Sequence, residues 1–494
     1  MTELRLPWLE AAVLLPLIGA VWVRFRRDPA VARRHALAFS GAALVISLGA
    51  WIDFATLGAG SAHAPWSLLE DAAGRRLFVV DHLNAPLLAL GALLYTLTIL
   101  GTLRTKFREF SLSRTLVSES LLLACLAAAT SWGVVIFMAL AVVPRLMELV
   151  QHRRPCRVYL VHMGLFVALL FLGEWGVSRA ATPGEQPLWA VLALAAAVLI
   201  RSGVVPLHCW MTDLFERASF GTALLFVTPM NGAFGFARLV APVAPGWALH
   251  LVALVALTTA VYAAGMALVQ NDARRFFCYL FLSHSSLVLV GVATATPLGL
   301  TGALSLWLSV SLSLTGFGLV LRCVEARVGR VYLAEFLGLY EQIPMMAGLF
   351  LLTGLASVGF PGTPGFIGVE MIVEAVMRTI PYLGPLIVVV AALNGLAVIQ
   401  AYFRIFAGRR KSSSIDLRIR KPERIAVLVT TLLLLGGGLA PQWGVGSRYK
   451  AALQLLAQRA PATAESETAP IDHAARPAGA GEGAIAVAPS DAPR

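Results

Sequence analysis

Apolar residues along this chain come in blocks of roughly 16 to 25, joined by short polar connections nearly to the end. That length suits α-helices crossing a bilayer. Strands of a membrane barrel alternate in polarity and are about half as long, so a barrel is excluded. The blocks predict helices at about Trp8–Val23, His35–Phe54, Leu83–Leu103, Leu116–Ala129, Trp132–Val150, Val158–Val177, Leu188–Val205 with a broken continuation, and Ser219–Leu239. They continue at Trp247–Val269, Phe276–Ala293, Leu300–Val324, an interrupted Met345–Met377, Leu383–Phe406 and Ile425–Ala440. The fold class expected is an all-α membrane protein with about 14 transmembrane helices. A long connection from Ala55 to Val80 carries Pro65, Glu70, Asp71, Arg75 and Arg76, and is expected on the outer surface. From Gly446 to Arg494 the composition turns to Ala, Pro, Glu and Gly; it cannot bury a core and predicts a disordered tail.

Composition supports the membrane reading. Of 494 residues, 58% are hydrophobic and 13% charged, with a mean hydropathy of +0.78. The formal charge of +12 would suit nucleic acid only if the basic residues shared one face, and they do not. They lie in alternate connections: Arg24, Arg26, Arg27, Arg33 and Arg34; Arg104, Lys106, Arg108 and Arg114; Arg153, Arg154 and Arg157; Arg274 and Arg275; Arg327 and Arg330; then Arg409, Arg410, Lys411, Arg418, Arg420, Lys421 and Arg424. By the positive-inside rule that side is cytoplasmic, which puts both termini outside the bacterial inner membrane. The first span lacks a basic leader and a small-residue cleavage site, so it reads as a retained helix. Cys125, Cys156, Cys209, Cys278 and Cys323 show no CxxC spacing, which suggests neither a disulfide framework nor a metal site. No nucleotide, flavin, haem or quinone motif occurs, so no cofactor is expected.

Two spans are interrupted. In the first, an apolar run from Leu188 meets Arg201, breaks at Gly203 and Pro206, and continues through His208 to Asp213. In the second, Ser357 to Glu370 contains Pro361 and Pro364. Irregular backbone and charge are tolerated in a bilayer only where they face protein or a water-filled cavity. The breaks therefore point inward, toward a path for something polar. They lie five spans apart, an odd number, so the second unit must run upside down relative to the first. Hence the expected organisation: residues 1–115 hold helices 1 to 3 with the outer loop, 116–240 a first five-helix repeat, 246–408 its inverted copy, 425–441 helix 14, and 446–494 the tail. The plainer alternative is that the prolines only kink packed helices.

Val80-Asp81-His82-Leu83, Val205-Pro206-Leu207-His208 with Trp210 and Asp213, Ala233 to Arg238, Asp272 to Arg275 leading to Tyr279 and Ser283-His284, and Phe360 to Gly368 resemble the antiporter-like membrane subunits of respiratory complex I. The likeness is closest to the M-type subunit of bacterial NADH:quinone oxidoreductase, within a superfamily that includes multisubunit cation/proton antiporters. It implies proton translocation along a central row of ionisable side chains, partnership with other membrane subunits, and no redox group on this chain. On that correspondence the span-seven lysine falls on Arg201 and the span-ten histidine on His284. The span-five glutamate falls on Ala139, the span-eight lysine on Met230 and the span-twelve ionisable position on Val369, with Glu370 beside it. The relay is thinned, and Arg201 is a fixed cation, because arginine stays charged where lysine gives up its proton. With Ala139 in place of an acid, Arg201 needs another acceptor: carbonyls freed at Gly203 and Pro206, water, or a neighbouring chain.

Each candidate carries two readings. His284 is a proton carrier or a histidine bonded to a broken helix, and His208 a point of proton uptake or an interfacial cap. Glu370, with Glu374 one turn on, is a proton acceptor of the second half-channel, or the two pair with Arg378. Arg145 and Glu148 read as a snorkelling ion pair. Glu119 and Glu174 are intramembrane acids, either of which would compensate for Ala139. The functional alternatives are a non-conducting subunit of the same assembly and an ion-coupled subunit of a two-component transporter. The sequence shows no lateral helix after span fourteen, which argues against an L-type subunit.

Overall fold

The computed structural model describes residues 2–65, 76–103, 110–180, 185–408 and 419–459. Glu70, Asp71, Arg75, Arg104, Lys106, Arg108, Arg409, Arg410, Lys411, Arg418 and the chain from Ala460 onward lie outside the described residues.

The chain is almost wholly helical. α1 (Trp8–Arg24) leads into α2 (Pro29–Leu57), where the Asp28 side chain accepts from Ala30 N–H at 2.8 Å and Pro29 supplies a preset first turn. α2 therefore begins earlier than His35. The expected outer loop contributes β2 (Ser61–His63), which lies between β1 (Thr2–Glu3) of the N-terminal segment and β3 (Val80–Asp81), parallel to the first and antiparallel to the second. α3 (Asn84–Leu100) and α4 (Leu112–Ala127) follow. The fifth block splits ahead of Pro144 into α5 (Ser131–Leu140) and α6 (Val143–Gln151). Next come α7 (Arg157–Val177), α8 (Leu188–Ser202) and α9 (Cys209–Arg217). The eighth block, expected as one helix, is α10 (Phe220–Val227), α11 (Asn231–Gly235) and a π-helical turn over Phe236–Val240.

The second half contains α12 (Gly246–Val269), α13 (Ala273–Ala293), α14 (Pro297–Val328), α15 (Pro344–Val358), α16 (Pro364–Thr379), α17 (Gly384–Phe406) and α18 (Lys421–Leu439). A last helix, α19 (Pro441–Arg459), follows span fourteen and corrects one expectation: the chain is not disordered from Gly446 to Arg459. α19 is held by burial of Arg448, Ala451, Ala452 and Leu455, a periodicity hidden by the alanine-rich composition.

Among the described residues nine helices are long and apolar enough to cross a membrane, with shorter apolar ones at Asn84–Leu100, Leu188–Ser202 and Pro344–Val358. The protein is an integral, multi-pass membrane protein. Its centre is set by burial: the most apolar window of α13 is 100% buried and those of Phe220–Val240 and α14 94%, against 33% for α2, α7 and α18, whose outer faces meet lipid or partners.

The two predicted breaks are built alike. α8 and α15 each have 15 residues, about 22 Å of helix against roughly 30 Å of hydrocarbon. Each ends on a left-handed glycine, Gly203 at φ 75° and Gly359 at φ 87°. Past the glycine, Val204 N–H donates to Leu199 O and Phe360 N–H to Leu355 O, both at 3.1 Å. This closure needs a residue that tolerates positive φ, which is why glycine precedes the proline at both sites.

Candidate functional site

α6 supplies Arg145 and Glu148, and the ion pair expected between them is absent. Glu148 instead closes the start of α10, accepting from Ser219 N–H at 2.9 Å and Thr222 Oγ1 at 2.7 Å. Arg145, 3% exposed, donates to Ser118 Oγ of α4 and, at 3.2 Å, to Tyr95 Oη of α3. Its guanidinium lies 4.9 Å from the centre of the Phe226 ring. Arg201 lies over the same ring at 3.9 Å and donates through Nη2 to Phe226 O at 2.9 Å. So the acceptor that Arg201 requires comes from α10, not from its own break. Among the described residues no carboxylate forms an ion pair with either cation; an aromatic face and carbonyl or hydroxyl oxygens stabilise them.

Glu119 neighbours Ser118 on α4 and is fully buried. One oxygen accepts from Ser40 Oγ at 2.8 Å; the other has no partner. Glu174 accepts from Ser131 Oγ at 2.5 Å, on the α5 side of the protein and away from the two arginines.

Three cavities lie beside the arginines and Glu148. A polar mouth of ≈ 190 Å³ is lined by Glu148, His152, Arg154, Glu216, Arg274 and Arg330. A cavity of ≈ 10 Å³ brings Glu148, Arg145, Tyr95 and Ser118 together. Another of ≈ 20 Å³ is bounded by Arg201, Ser202, Met230 and, from α13, Ser285. The last two have space for about one water each. The Ser202 hydroxyl has no partner, which suits such a water.

Beside Ser285 stands His284, 2% exposed. Its Nδ1 bonds Leu280 O at 2.7 Å, within its own helix; Nε2 is unpartnered, near the Ser357 backbone at the end of α15. The hydroxyls of Ser286, Ser309, Ser311 and Thr315 are likewise buried and unpartnered. Asn394 Nδ2 donates to Ser283 Oγ at 2.9 Å.

The transmembrane family described as NADH:quinone oxidoreductase/Mrp antiporter matches residues 160–394. Subunit 13 of the NADH-quinone oxidoreductase of Thermus thermophilus is 28% identical over 452 residues, 86% of this chain and 94% of that one. The chain is similar to this family over residues 160–394. Subunit M from Rickettsia bellii is 27% identical over 274 residues, covering 52% of this chain and 53% of its own length. A chain of respiratory complex I from Thermus thermophilus shares the fold, with a TM-score of 0.79 at 24% identity over 91% of this chain and 99% of that chain.

The motifs that carry the resemblance meet in space. Asp81 and Arg238, far apart in sequence, form an ion pair at 2.5 Å with side chains 5% and 15% exposed. Asp272 accepts from Arg274 and Arg275 N–H at the start of α13 and pairs with Arg330 at 2.6 Å. Arg274 pairs with Glu325 and Arg327 with Glu423, so these loop arginines have structural partners as well as a topological role. Met230 is buried at φ 54°, at the third break.

Not every candidate joins the path. Glu370 and Glu374 lie on the exposed face of α16, and Glu374 pairs with Arg378 at 2.6 Å. The structure therefore does not bring Glu370 to His284 in a shared interior channel; α16 turns Gly365, Gly368, Ile372, Ala375 and Val376 inward instead. His208 is half-buried between Tyr262 and Tyr279, with ring centres 5.5 and 6.0 Å away, and does not line the Arg201 cavity. Sequence reasoning missed the places of Glu148, Phe226, Ser202 and Ser285. It also missed the α14 hydroxyls, although Ser309, Ser311, Ser313 and Thr315 recur in an apolar span and give a legible signal.

Proposed function

We propose that this chain is a proton-translocating, antiporter-like membrane subunit of a NADH:quinone oxidoreductase-type assembly, working beside other membrane subunits in the bacterial inner membrane. The finer architecture proposed is fourteen spanning helices, both termini outside, with residues 116–240 and 246–408 as inverted copies. The matched closure of α8 and α15 supports the repeat. The observation that carries the function is the placing of Arg145 and Arg201 over one Phe226 ring, with a cavity at Glu148 and Arg145 on one side and a cavity at Arg201 and Ser285, next to His284, on the other.

Protons enter at the mouth, are received by Glu148 and held in the first half by Glu119. They reach His284 by way of the water-sized cavity at Arg201. The arginines do not carry protons; they set a barrier. A unit charge about 4 Å from a guanidinium is opposed by about 4 kcal/mol at an effective dielectric of 20. Passage therefore requires that the field be offset, by a charge on a partner subunit or by a shift of Phe226. Redox energy comes from elsewhere in the assembly.

The test is proton uptake by the whole assembly reconstituted in vesicles and driven by NADH and quinone. Glu148→Gln and His284→Ala should each lower the protons moved per electron pair while leaving electron transfer intact. Unchanged stoichiometry in the double variant would reduce this subunit to a non-conducting member of the assembly.

A further inference from the structure

A second cavity, ≈ 550 Å³, lies outside the proton path. It is bounded by α2, α3, α14, α16, α18 and α19, and its walls are mainly leucines such as Leu90, Leu312 and Leu434, with Ile367. Its size falls within the roughly 300–1,000 Å³ of sites that hold a bulky organic ligand. At its rim Leu48, Leu433 and Trp443 are exposed, so it opens sideways into the bilayer.

Two polar side chains with unpartnered atoms line this apolar space. Arg448 of α19 lines it and is 1% exposed. Its Nη2 donates to His82 O at 3.1 Å and Ser447 Oγ at 2.9 Å, whereas Nε and Nη1 have no partner. The nearby Asp81 is engaged by Arg238, and among the described residues no carboxylate forms an ion pair with Arg448. The Ser309 hydroxyl, also lining the space, is unpartnered. Arg448 stands level with His82, where α3 begins. From there the lining runs along α2 from Trp51 to Leu44 and along α3 from Pro86 to Leu93, about 10 Å toward the membrane middle.

We propose that this cavity is a binding site for a membrane phospholipid, its acyl chain lying along Leu90 and Leu312 and its phosphate bonded to Nε and Nη1 of Arg448. A guanidinium offers two parallel donors that fit phosphate oxygens, and a buried cation without a counter-charge is costly until one is supplied. A lipid fits better than a neutral ring compound because the free donors are charged and sit at the end nearest the headgroup layer.

The assembly, extracted in mild detergent and exchanged into nanodiscs of phosphatidylglycerol, is examined by native mass spectrometry with this subunit released in the gas phase. The intact subunit should keep one phosphatidylglycerol. Arg448→Gln should lower that retention roughly tenfold, the weight of one charge-assisted contact. Leu312→Trp, which fills the cavity with Arg448 in place, should lower it likewise and decides the matter if Arg448→Gln fails to assemble. Equal retention in the cavity-filled variant, or a retained quinone in place of the lipid, overturns the proposal.

Discussion

Buried around α8 are Arg145, Arg201, Glu119, Glu148 and Glu174, whereas beside the closure of α15 stands His284 among serines, threonines and Asn394, with Arg322 and Glu423 buried farther along α14 and α18. Yet α8 and α15 have the same length and the same closure. The shared part is what a helix needs in order to stop inside a bilayer. The differing part is what each half does with the opening. On the proposed function, the charges beside α8 would impose a barrier, whereas the hydroxyls and imidazole beside the end of α15 would let water and protons line up.

The sharpest way to break this contrast is to remove its cation. Arg201→Met should raise passive proton conductance of the vesicles about 10- to 100-fold, since part of a barrier of ~4 kcal/mol is withdrawn. His284→Ala should not raise it. Equal leak in both variants would erase the distinction between a charged gate and a neutral file. Next in size is the clasp on the first half: Asp81→Asn leaves Arg238 without its buried counter-charge and should cost about 3 kcal/mol, read as a fall in thermal stability of the solubilised assembly.

The glycines sharpen the comparison further. A Cβ at residue 203 would meet Met211 Cε at 2.6 Å, while at 359 the nearest atom is Gly365 O at 3.3 Å. Both substitutions force an L residue into the left-handed region, and the Met211 tip can swing aside whereas the Gly365 backbone cannot, so each should cost about 1 kcal/mol or more. A fall in both midpoints in a thermal unfolding series checks this. The smallest expected effect is that of Glu370→Gln, which should change proton stoichiometry by less than about twofold, because an exposed group off the path has no part in the barrier. A large loss would bring Glu370 back into the conducting route through a partner subunit.

Much of the fold was legible because glycine and proline announce breaks at Gly203, Pro206, Pro361 and Pro364, and because apolar blocks have the length of a bilayer. The third break was less visible. Pro229 is in the sequence, but Met230 adopts a left-handed conformation that its side chain disfavours, so packing overrode propensity there. The Arg145–Phe226–Arg201 arrangement was not readable, since the ring is distant in sequence from both cations. The orientation of α16 was readable and was misjudged. Gly365, Gly368 and Ala375 mark the tightly packed face, with Gly368 against Gly302 O and the Leu306 backbone, and Glu370 lies off that face.

Stopping a helix inside the membrane has one more consequence. Aligned peptide dipoles leave about half a negative elementary charge at the C-terminal end of such a segment. Arg201 occupies the last turn of α8, and His284 meets Ser357 in the last turn of α15. Each stub thus presents a small permanent attraction for positive charge, met at α8 by the Arg201 guanidinium and facing the His284 imidazole at α15.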